Sequence, residues 1–288
     1  ISIESDYSLD LDLGVRIKKG IGSLKELQTL MSVRAYPSMV DLARELETLR
    51  KLKILSINQL TEEIGKDLGA SIEKMNDLEE LYLHAINEHE FLDMRCISSP
   101  PPLIRFLKLS CRLQQLPDWI SKLQNLQGLE LRHSKLTNEL SQYLKDLPNL
   151  AYLDMYQTYD CEELHFVEGG FRKLKQLVLR KFEELKVVKI ERGALPLLEG
   201  LIFGSSPLMK EIPSDIQHLT NLKSLLFIDM PREFVAGLQP DGDGTSSHSW
   251  KIQHVPSVIF SYKSKGEIYD SYKLGESNLL ELLQKQAN

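Results

Sequence analysis

The sequence predicts an α/β solenoid made of short repeats, and three observations support it. A motif of the form Leu-x-x-Leu-x-Leu, or a close relative, occurs nine times in the 288 residues. Its middle leucines recur every 22 to 26 residues, within the ~20–29 residues expected of a leucine-rich repeat. Inside each motif the leucines alternate with other residues, as in a short strand with one buried face. The middle leucines are Leu30, Leu55, Leu81, Leu107, Leu129, Leu153, Leu177, Leu201 and Leu225.

The second half of each repeat is predicted to run along the opposite, convex face. In Leu116–Leu123 and Ile212–Leu219 a proline precedes an aspartate or a serine, and apolar residues follow. Proline has a preset φ and lacks an N–H, so it suits the start of a turn or short helix. We therefore expect a curved horseshoe with parallel strands on its concave face and short helices, 3-10 turns and loops on its convex face. One repeat cannot bury both of its faces, so its stability comes from its neighbours.

Three parts are predicted along the chain. Residues 1–23 form a partial N-terminal repeat, residues 24–228 hold about nine leucine-rich repeats, and residues 229–288 form a C-terminal capping region. The cap is needed because the last repeat would otherwise expose its core. A polar stretch near 239–249, rich in glycine and serine, predicts a flexible loop within the cap. The chain begins Ile-Ser-Ile-Glu, without an initiator methionine or a signal peptide, so we expect a fragment of a longer protein.

Composition and charge narrow the possible partners. The net charge of −6 does not favour nucleic acid, which requires a concentrated positive face. The sequence contains no apolar run near the ~20 residues needed to span a bilayer, so no membrane span is expected. Cys96, Cys111 and Cys161 are too few and odd in number for a disulfide framework, and there is no Asn-x-Ser/Thr sequon. These features favour a reducing, cytoplasmic location, with the nucleus or the membrane periphery also open.

The sequence carries no set of residues that would support catalysis or metal binding. The nucleotide-binding motifs Gly-x-x-x-x-Gly-Lys-Ser/Thr and Gly-x-Gly-x-x-Gly are absent, as is the zinc motif His-Glu-x-x-His. The segment at 241–245 resembles a calcium loop, but Ile252 stands where that loop needs a glutamate. We therefore predict a protein that is not an enzyme, with no metal and no cofactor in this chain.

The residues between the leucines are the candidate binding site, because they point outward from the strands in columns about 4.8 Å apart. Aromatic and arginine side chains are common interface anchors, although aromatic residues also simply suit strands. Glu130 and Asp154 fall in one column on successive strands, where like charges repel, which favours a basic residue on the partner. The predicted partner-binding residues are Tyr82, His84, Phe106, Lys108, Glu130, Arg132, Tyr152, Asp154, Tyr156 and Arg180.

A second feature of the same face is apolar. Val178, Ile202, Leu226 and Ile228 occupy outward positions and predict an apolar patch that faces solvent. A contiguous patch of this kind usually marks a contact surface. The alternative is that the C-terminal cap folds over this end of the repeats.

Particular segments carry a family resemblance: Ile21–Leu30, Leu113–Ile120, Ile212–Leu222 and Met230–Phe234. With these segments and its irregular spacing, the chain resembles the leucine-rich-repeat domain of a plant intracellular disease resistance protein of the coiled-coil nucleotide-binding class (NLR). The resemblance implies a domain that senses a pathogen effector, directly or through a guarded host protein. It also implies an intramolecular contact that restrains the nucleotide-binding domain, and ATP or ADP would belong to that missing domain. An intracellular scaffold, or the substrate adaptor of a ubiquitin ligase, is the alternative.

Overall fold

The structure is a computed structural model of the chain, which divides into two compact units. The first unit is Ile1–Leu140 with Leu147–Leu150, and the second is Ser141–Asp146 with Ala151–Asn288. The described residues are 14–17, 20–36, 40–136, 140–213, 215–239, 248–264, 269–279 and 281.

The first unit contains a parallel sheet whose strands pair in sequence order. Each strand contains the middle leucine of its motif, as predicted. Leu55, Leu81, Leu107 and Leu129 are fully buried, whereas Leu30 of the first strand is half-buried. The strands are β1 (Thr29–Arg34), β2 (Ile54–Leu60), β3 (Glu80–Ala85), β4 (Phe106–Ser110) and β5 (Gly128–Arg132).

The second unit continues the repeat pattern with more parallel strands. Its strands are β6 (Tyr152–Tyr156), β7 (Glu163–Phe166), β8 (Gln176–Arg180), β9 (Val187–Ile190), β10 (Gly200–Gly204), β11 (Ser224–Ile228), β12 (Ser257–Lys263) and β13 (Tyr269–Lys273). The parallel order is β6-β8-β10-β11-β12, and β13 pairs antiparallel with β12. Strands β7 and β9 form a separate two-stranded parallel sheet. The sequence predicted neither this small sheet nor β13.

Helical segments occupy the second halves of the repeats, and all of them are short. The α-helices are α1 (Val40–Leu46), α2 (Glu62–Ile72), α3 (Leu140–Leu144) and α4 (Arg232–Ala236). The 3-10 turns are Ile21–Ser23, Met94–Cys96, Asp118–Lys122, Ile216–His218 and His248–Ile252. None of the helices in the described part of the chain has the length and apolar character to cross a membrane.

The two ends of the chain are described only in part. Residues 1–13 of the predicted N-terminal repeat lie outside the described residues, and Val15 forms an isolated parallel bridge with Val33. Most of the predicted loop near 239–249 also lies outside them, whereas residues 277–279 and 281 are described and helical. Strand β12 falls within the predicted capping region. The boundaries of the three predicted parts therefore stay a prediction.

Both ends of the strands are set by backbone geometry that repeats along the chain. At the start of a strand, one carbonyl of the preceding repeat accepts two N–H groups; the carbonyl of Lys175, for example, accepts from Glu199 at 2.8 Å and from Gly200 at 3.0 Å. At the end, the residue after the strand has a positive φ, which lets its N–H make one more hydrogen bond to the next strand. The N–H of Lys181 donates to the carbonyl of Gly204 and the N–H of Ser205 donates to the carbonyl of Ile228, both at 2.8 Å. Residues with this geometry recur at steps of 24: His133, Gln157, Lys181, Ser205 and Asp229.

Side chains also connect one repeat to the next. The side-chain amide of Asn125 donates to the Pro102 carbonyl at 2.9 Å, and Asn221 donates to the Pro196 carbonyl at 2.8 Å. In the second unit the rings of Phe203, Phe227 and Phe260 stack through the core, with centroids 5.9 and 5.2 Å apart. Each buried phenylalanine contributes roughly 1.5–3 kcal/mol, so successive repeats depend on one another.

Candidate functional site

The outward face of the first unit places the predicted aromatic and charged residues in adjacent rows. Tyr82, Lys108 and Glu130 are neighbours in one row across β3, β4 and β5. His84 and Arg132 flank Ser110 in the next row along the strands. Because the strands are parallel and in register, side chains of one row lie about 4.8 Å apart, close enough to contact.

Tyr82 and Phe106 form a stacked pair on this face. Their ring centroids are 5.5 Å apart with planes inclined by 28°. The Tyr82 hydroxyl donates to Glu80 Oε2 at 2.7 Å, and burial together with the Glu80 carboxylate raises the pKa of Tyr82. Phe106 leans across β5, where a Cβ on Gly128 would stand 2.5 Å from its ring. Gly128 therefore leaves the space in which the aromatic pair rests.

We expect Gly128→Ala to displace the Phe106 ring and to lower the stability of the chain by about 1–3 kcal/mol, the usual cost of overpacking. The measurement is urea unfolding followed by circular dichroism. The matched control is the double variant Gly128→Ala with Phe106→Ala, in which the clashing ring is gone, so the added methyl should cost almost nothing relative to Phe106→Ala alone. An equal cost of Gly128→Ala in both backgrounds would contradict the assigned contact.

The charged residues of the first unit form ion pairs among themselves. Lys108 Nζ lies 2.8 Å from Glu130 Oε2, and Arg132 Nε lies 3.7 Å from the same oxygen. His84 is 8% exposed. Burial, followed by the positive charges of Lys108 and Arg132, lowers the pKa of His84 to about 4, so the imidazole is neutral at physiological pH.

The outward face of the second unit carries a second group of predicted residues. Arg180 Nη2 donates to Asp154 Oδ2 at 2.9 Å, and the Tyr152 hydroxyl donates to the same oxygen at 3.4 Å. Arg180 and Lys181 both lie over the ring of Tyr156, with Cζ and Nζ 5.5 and 5.1 Å from its centroid. Such cation–π contacts contribute roughly 0.5–2 kcal/mol each, so Tyr156 helps to fix both cations.

This geometry removes the basis for expecting a basic partner residue. Glu130 faces Lys108 and Arg132 within the first unit, and Asp154 binds Arg180 within the second. Both carboxylates are thus matched by cations of the chain itself. Lys108 stands in the same column as Glu130, whereas Arg132 and Arg180 stand in the next column along the strands, which a comparison of Glu130 with Asp154 alone leaves out.

Burial also separates the ten candidates into two groups. Asp154 is 2% exposed and Tyr156 is 6% exposed, and His84 is buried as well, so these three support the face from below and offer little area to a partner. The half-buried residues that can touch a partner are Tyr82, Phe106, Lys108, Glu130, Arg132, Tyr152 and Arg180. Binding by these residues stays a prediction.

The predicted apolar patch is present, but two of its residues are buried and one further residue belongs to it. Val178 and Ile228 are buried, Ile202 and Leu226 are half-buried, and Ile259 of β12 extends their row. Gly128 and Lys181 also contribute to the face and were not predicted. Their signals in the sequence are a glycine between Phe106 and Tyr152 in one outward column, and a cation directly after a strand.

The described residues do not bring metal-binding side chains together. They contain no cluster of three or more His, Cys, Asp or Glu side chains that could hold a metal. Cys111 is fully buried, which raises the pKa of its thiol to about 12. A cleft of about 270 Å³ in the first unit lies between the start of α2 and the turn at Met94–Cys96, and none of the ten candidate residues lines it.

Comparison with known families and proteins identifies the repeat type. A family model described as a leucine-rich repeat region matches residues 7–233. The disease resistance protein RPM1 of Arabidopsis thaliana is 29% identical over 267 residues, which cover 92% of this chain and 28% of that protein. The disease resistance protein RPP8 of the same plant is 26% identical over 88% of this chain and 27% of its own length. The chain thus spans under a third of these relatives.

Solved structures show the same fold. The leucine-rich repeat domain of the type III effector XopL has a TM-score of 0.57 and 24% identity, covering 75% of this chain and 73% of that domain. A leucine-rich-repeat protein of Leptospira interrogans has a TM-score of 0.55 and 22% identity, covering 90% of this chain and 69% of that protein. At this level of identity the likeness concerns the fold alone.

Proposed function

Since the chain belongs to the leucine-rich-repeat region family, whose model spans residues 7–233, we propose that it is the protein-recognition module of a plant immune receptor. Its role is to sense a pathogen effector, directly or through a guarded host protein, and to help restrain a nucleotide-binding domain by intramolecular contact. Similarity to disease resistance proteins over about nine-tenths of the chain supports this role. The proposed location is the cytoplasm.

The observation that carries the proposal is the outward face of the first unit. Tyr82 and Phe106 are already stacked, and the neighbouring ion pair of Lys108 and Glu130 is already formed. A partner therefore does not need to order these side chains, and preordered aromatic and charged anchors are what tight protein interfaces use. The face offers contacts for recognition and no convergent acid, base or nucleophile.

Two further parts of the proposal concern catalysis and nucleotides. We propose that the chain binds without catalysing a reaction, and that ATP or ADP belongs to a nucleotide-binding domain outside it. The runner-up function is an intracellular scaffold or a ubiquitin-ligase adaptor, which would use the same face. The relatives with disease resistance names favour the receptor over the adaptor.

The test is quantitative affinity capture from pathogen-challenged plant extract. The full chain serves as bait beside the double variant Tyr82→Ala with Lys108→Ala and the control Lys186→Ala with Glu162→Ala, which removes an exposed ion pair. We expect the face variant to remain folded, as circular dichroism would show, and to lose its specific partners by about tenfold, because a hot-spot residue contributes roughly 1–3 kcal/mol. The proposal fails if all three baits capture the same proteins in the same amounts.

A further inference from the structure

The second unit has a continuous apolar row on its outward face. Val178, Ile202, Leu226 and Ile259 are paired in register across β8, β10, β11 and β12. The last three are half-buried, and the core residues of the same strands, such as Leu177, Leu201, Leu225 and Phe260, face the opposite side. The row therefore adds apolar surface where the fold itself does not require it. It is here called the apolar floor.

The residues that flank the apolar floor along the strands stand at about equal distances on both sides of it. Gln176 of β8 leans towards β10, because Gly200 presents no side chain against it, whereas the guanidinium of Arg180 turns back to Asp154 of β6. Further along, the flanking positions hold Ser224 and the buried Ile228 on β11, and Ser257 and Ser261 on β12. The flanks stand two residues to each side of the floor, so they are about 13 Å apart along the strand. That width suits an α-helix, whose diameter with side chains is about 10–12 Å.

Cations stand at both ends of the floor. Arg180 lies at the β8 end, followed by Lys181. At the other end, Lys273 of β13 pairs directly opposite Ile259, so its exposed side chain extends the same row. Asp154 offsets the charge of Arg180 by direct contact, and the Glu276 carboxylate accepts from the backbone N–H of Lys273. The ammonium groups of Lys181 and Lys273 at the two ends therefore favour acidic residues near the ends of a ligand.

We propose that the apolar floor binds one amphipathic α-helix of a protein partner, with a single apolar stripe and an acidic residue near each end. The helix axis lies across the strands, along the apolar floor. The apolar residues of the helix pack on the floor, between the flanking residues. Strands are spaced about 4.8 Å apart and helical turns about 5.4 Å apart, so residues at i, i+4 and i+7 fall near successive strands. The proposal rests on the proposed function and specifies the chemistry of the partner.

The length of the helix follows from the distance between the charged ends. From β8 to β13 there are four strand spacings, or about 19 Å. At a rise of about 1.5 Å per residue this distance corresponds to a helix of about 13 residues. The apolar stripe covers three spacings, or about 14 Å, which leaves the acidic residues in the first and last turns.

The test uses synthetic helical peptides of about 14 residues, stabilised by a lactam bridge and titrated against the full chain by fluorescence anisotropy. The first peptide has leucines at i, i+4, i+7 and i+11 with glutamates in both end turns. A second replaces the glutamates with lysines, and a third has the same composition with the leucines spread around the helix. We expect the first peptide to bind and the other two to bind at least about tenfold more weakly.

Variants of the chain test the location of the binding. Ile202→Thr with Leu226→Thr keeps β-branched or polar residues that suit a strand but removes apolar contact, and should weaken the first peptide by about tenfold. Lys273→Glu should weaken it as well and should improve the lysine peptide. The control Ile54→Thr, a half-buried outward position in the first unit, should leave the affinity unchanged.

Two results overturn the proposal: equal affinity for all three peptides, or equal affinity of the floor variant and the unchanged chain. Absence of binding by every peptide at about 1 mM overturns it too. The result of this test can be distinguished from the result of the test of the proposed function. Capture that depends on Tyr82 without any helix binding removes only the helix, whereas helix binding without such capture removes only the receptor role.

Discussion

Replacing Leu153 with aspartate is expected to unfold the repeats of the second unit. Leu153 is 1% exposed and pairs in register with Leu177 of β8, so the new carboxylate would be buried among leucines without a partner. Removing an unpaired charge from water costs several kcal/mol, which is comparable to the ~5–15 kcal/mol that hold a typical domain folded. Thermal and urea unfolding by circular dichroism measures the effect.

Two control variants separate the effect of burying a charge from the effect of changing Leu153 and from the effect of adding a charge. Leu153→Met conserves volume and should cost less than about 1.5 kcal/mol. Ser224→Asp adds the same charge at a half-buried outward position and should change the stability far less. If Leu153→Asp melts together with Ser224→Asp, the inward assignment of the strand leucines is wrong. The loss should also extend beyond one repeat, because each repeat is stabilised by its neighbours.

The second large effect is a dependence of stability on pH through His84. The pKa of its imidazole falls from 6.5 to about 4 because the ring is buried beside Lys108 and Arg132. Between these values the unfolded chain binds more protons than the folded chain. The free energy of unfolding therefore decreases as the pH is lowered from about 6.5 towards 4, by up to about 3 kcal/mol, and does not depend on this group above that window.

The measurement compares urea unfolding of the unchanged chain and of His84→Gln from pH 7.5 to 4.5. The difference between the two proteins isolates the imidazole, because other titrating groups contribute equally to both. We expect the unchanged chain to lose stability relative to His84→Gln as the pH falls. Parallel curves over this range would contradict a buried neutral imidazole beside two cations.

The fold was predictable where the hydrophobic period is long and regular. The pattern around Leu129 or Leu153 repeats often enough to mark a strand and its buried face. Strands β7 and β9 were missed because four residues such as Glu163–Phe166 alternate too briefly to stand out from a loop. Strand β13 was missed because Tyr269–Lys273 carries two tyrosines but no leucine motif, and its pairing with β12 depends on tertiary structure.

The residues of the candidate face were predictable from the sequence, but their ion pairs and their burial were not. The columns of the sequence place Glu130 and Asp154 outward, and the structure agrees. They do not show that Arg180 reaches back to Asp154, or that this carboxylate is buried. Those facts depend on how far each side chain leans over the neighbouring strand. For Phe106, Gly128 on that strand leaves the space for the lean.

The fixed ends of the strands have a consequence for how such a chain can change. One carbonyl that accepts two N–H groups starts each strand, and a residue of positive φ ends it, as Lys181 and Ser205 do. Repeats of 22 to 26 residues therefore absorb their extra or missing residues outside the strands. Outward positions form an array of constant pitch, in which a substitution alters the chemistry of one point and leaves the coordinates of the others in place. Ligand preference can then be rewritten one position at a time on an unchanged scaffold.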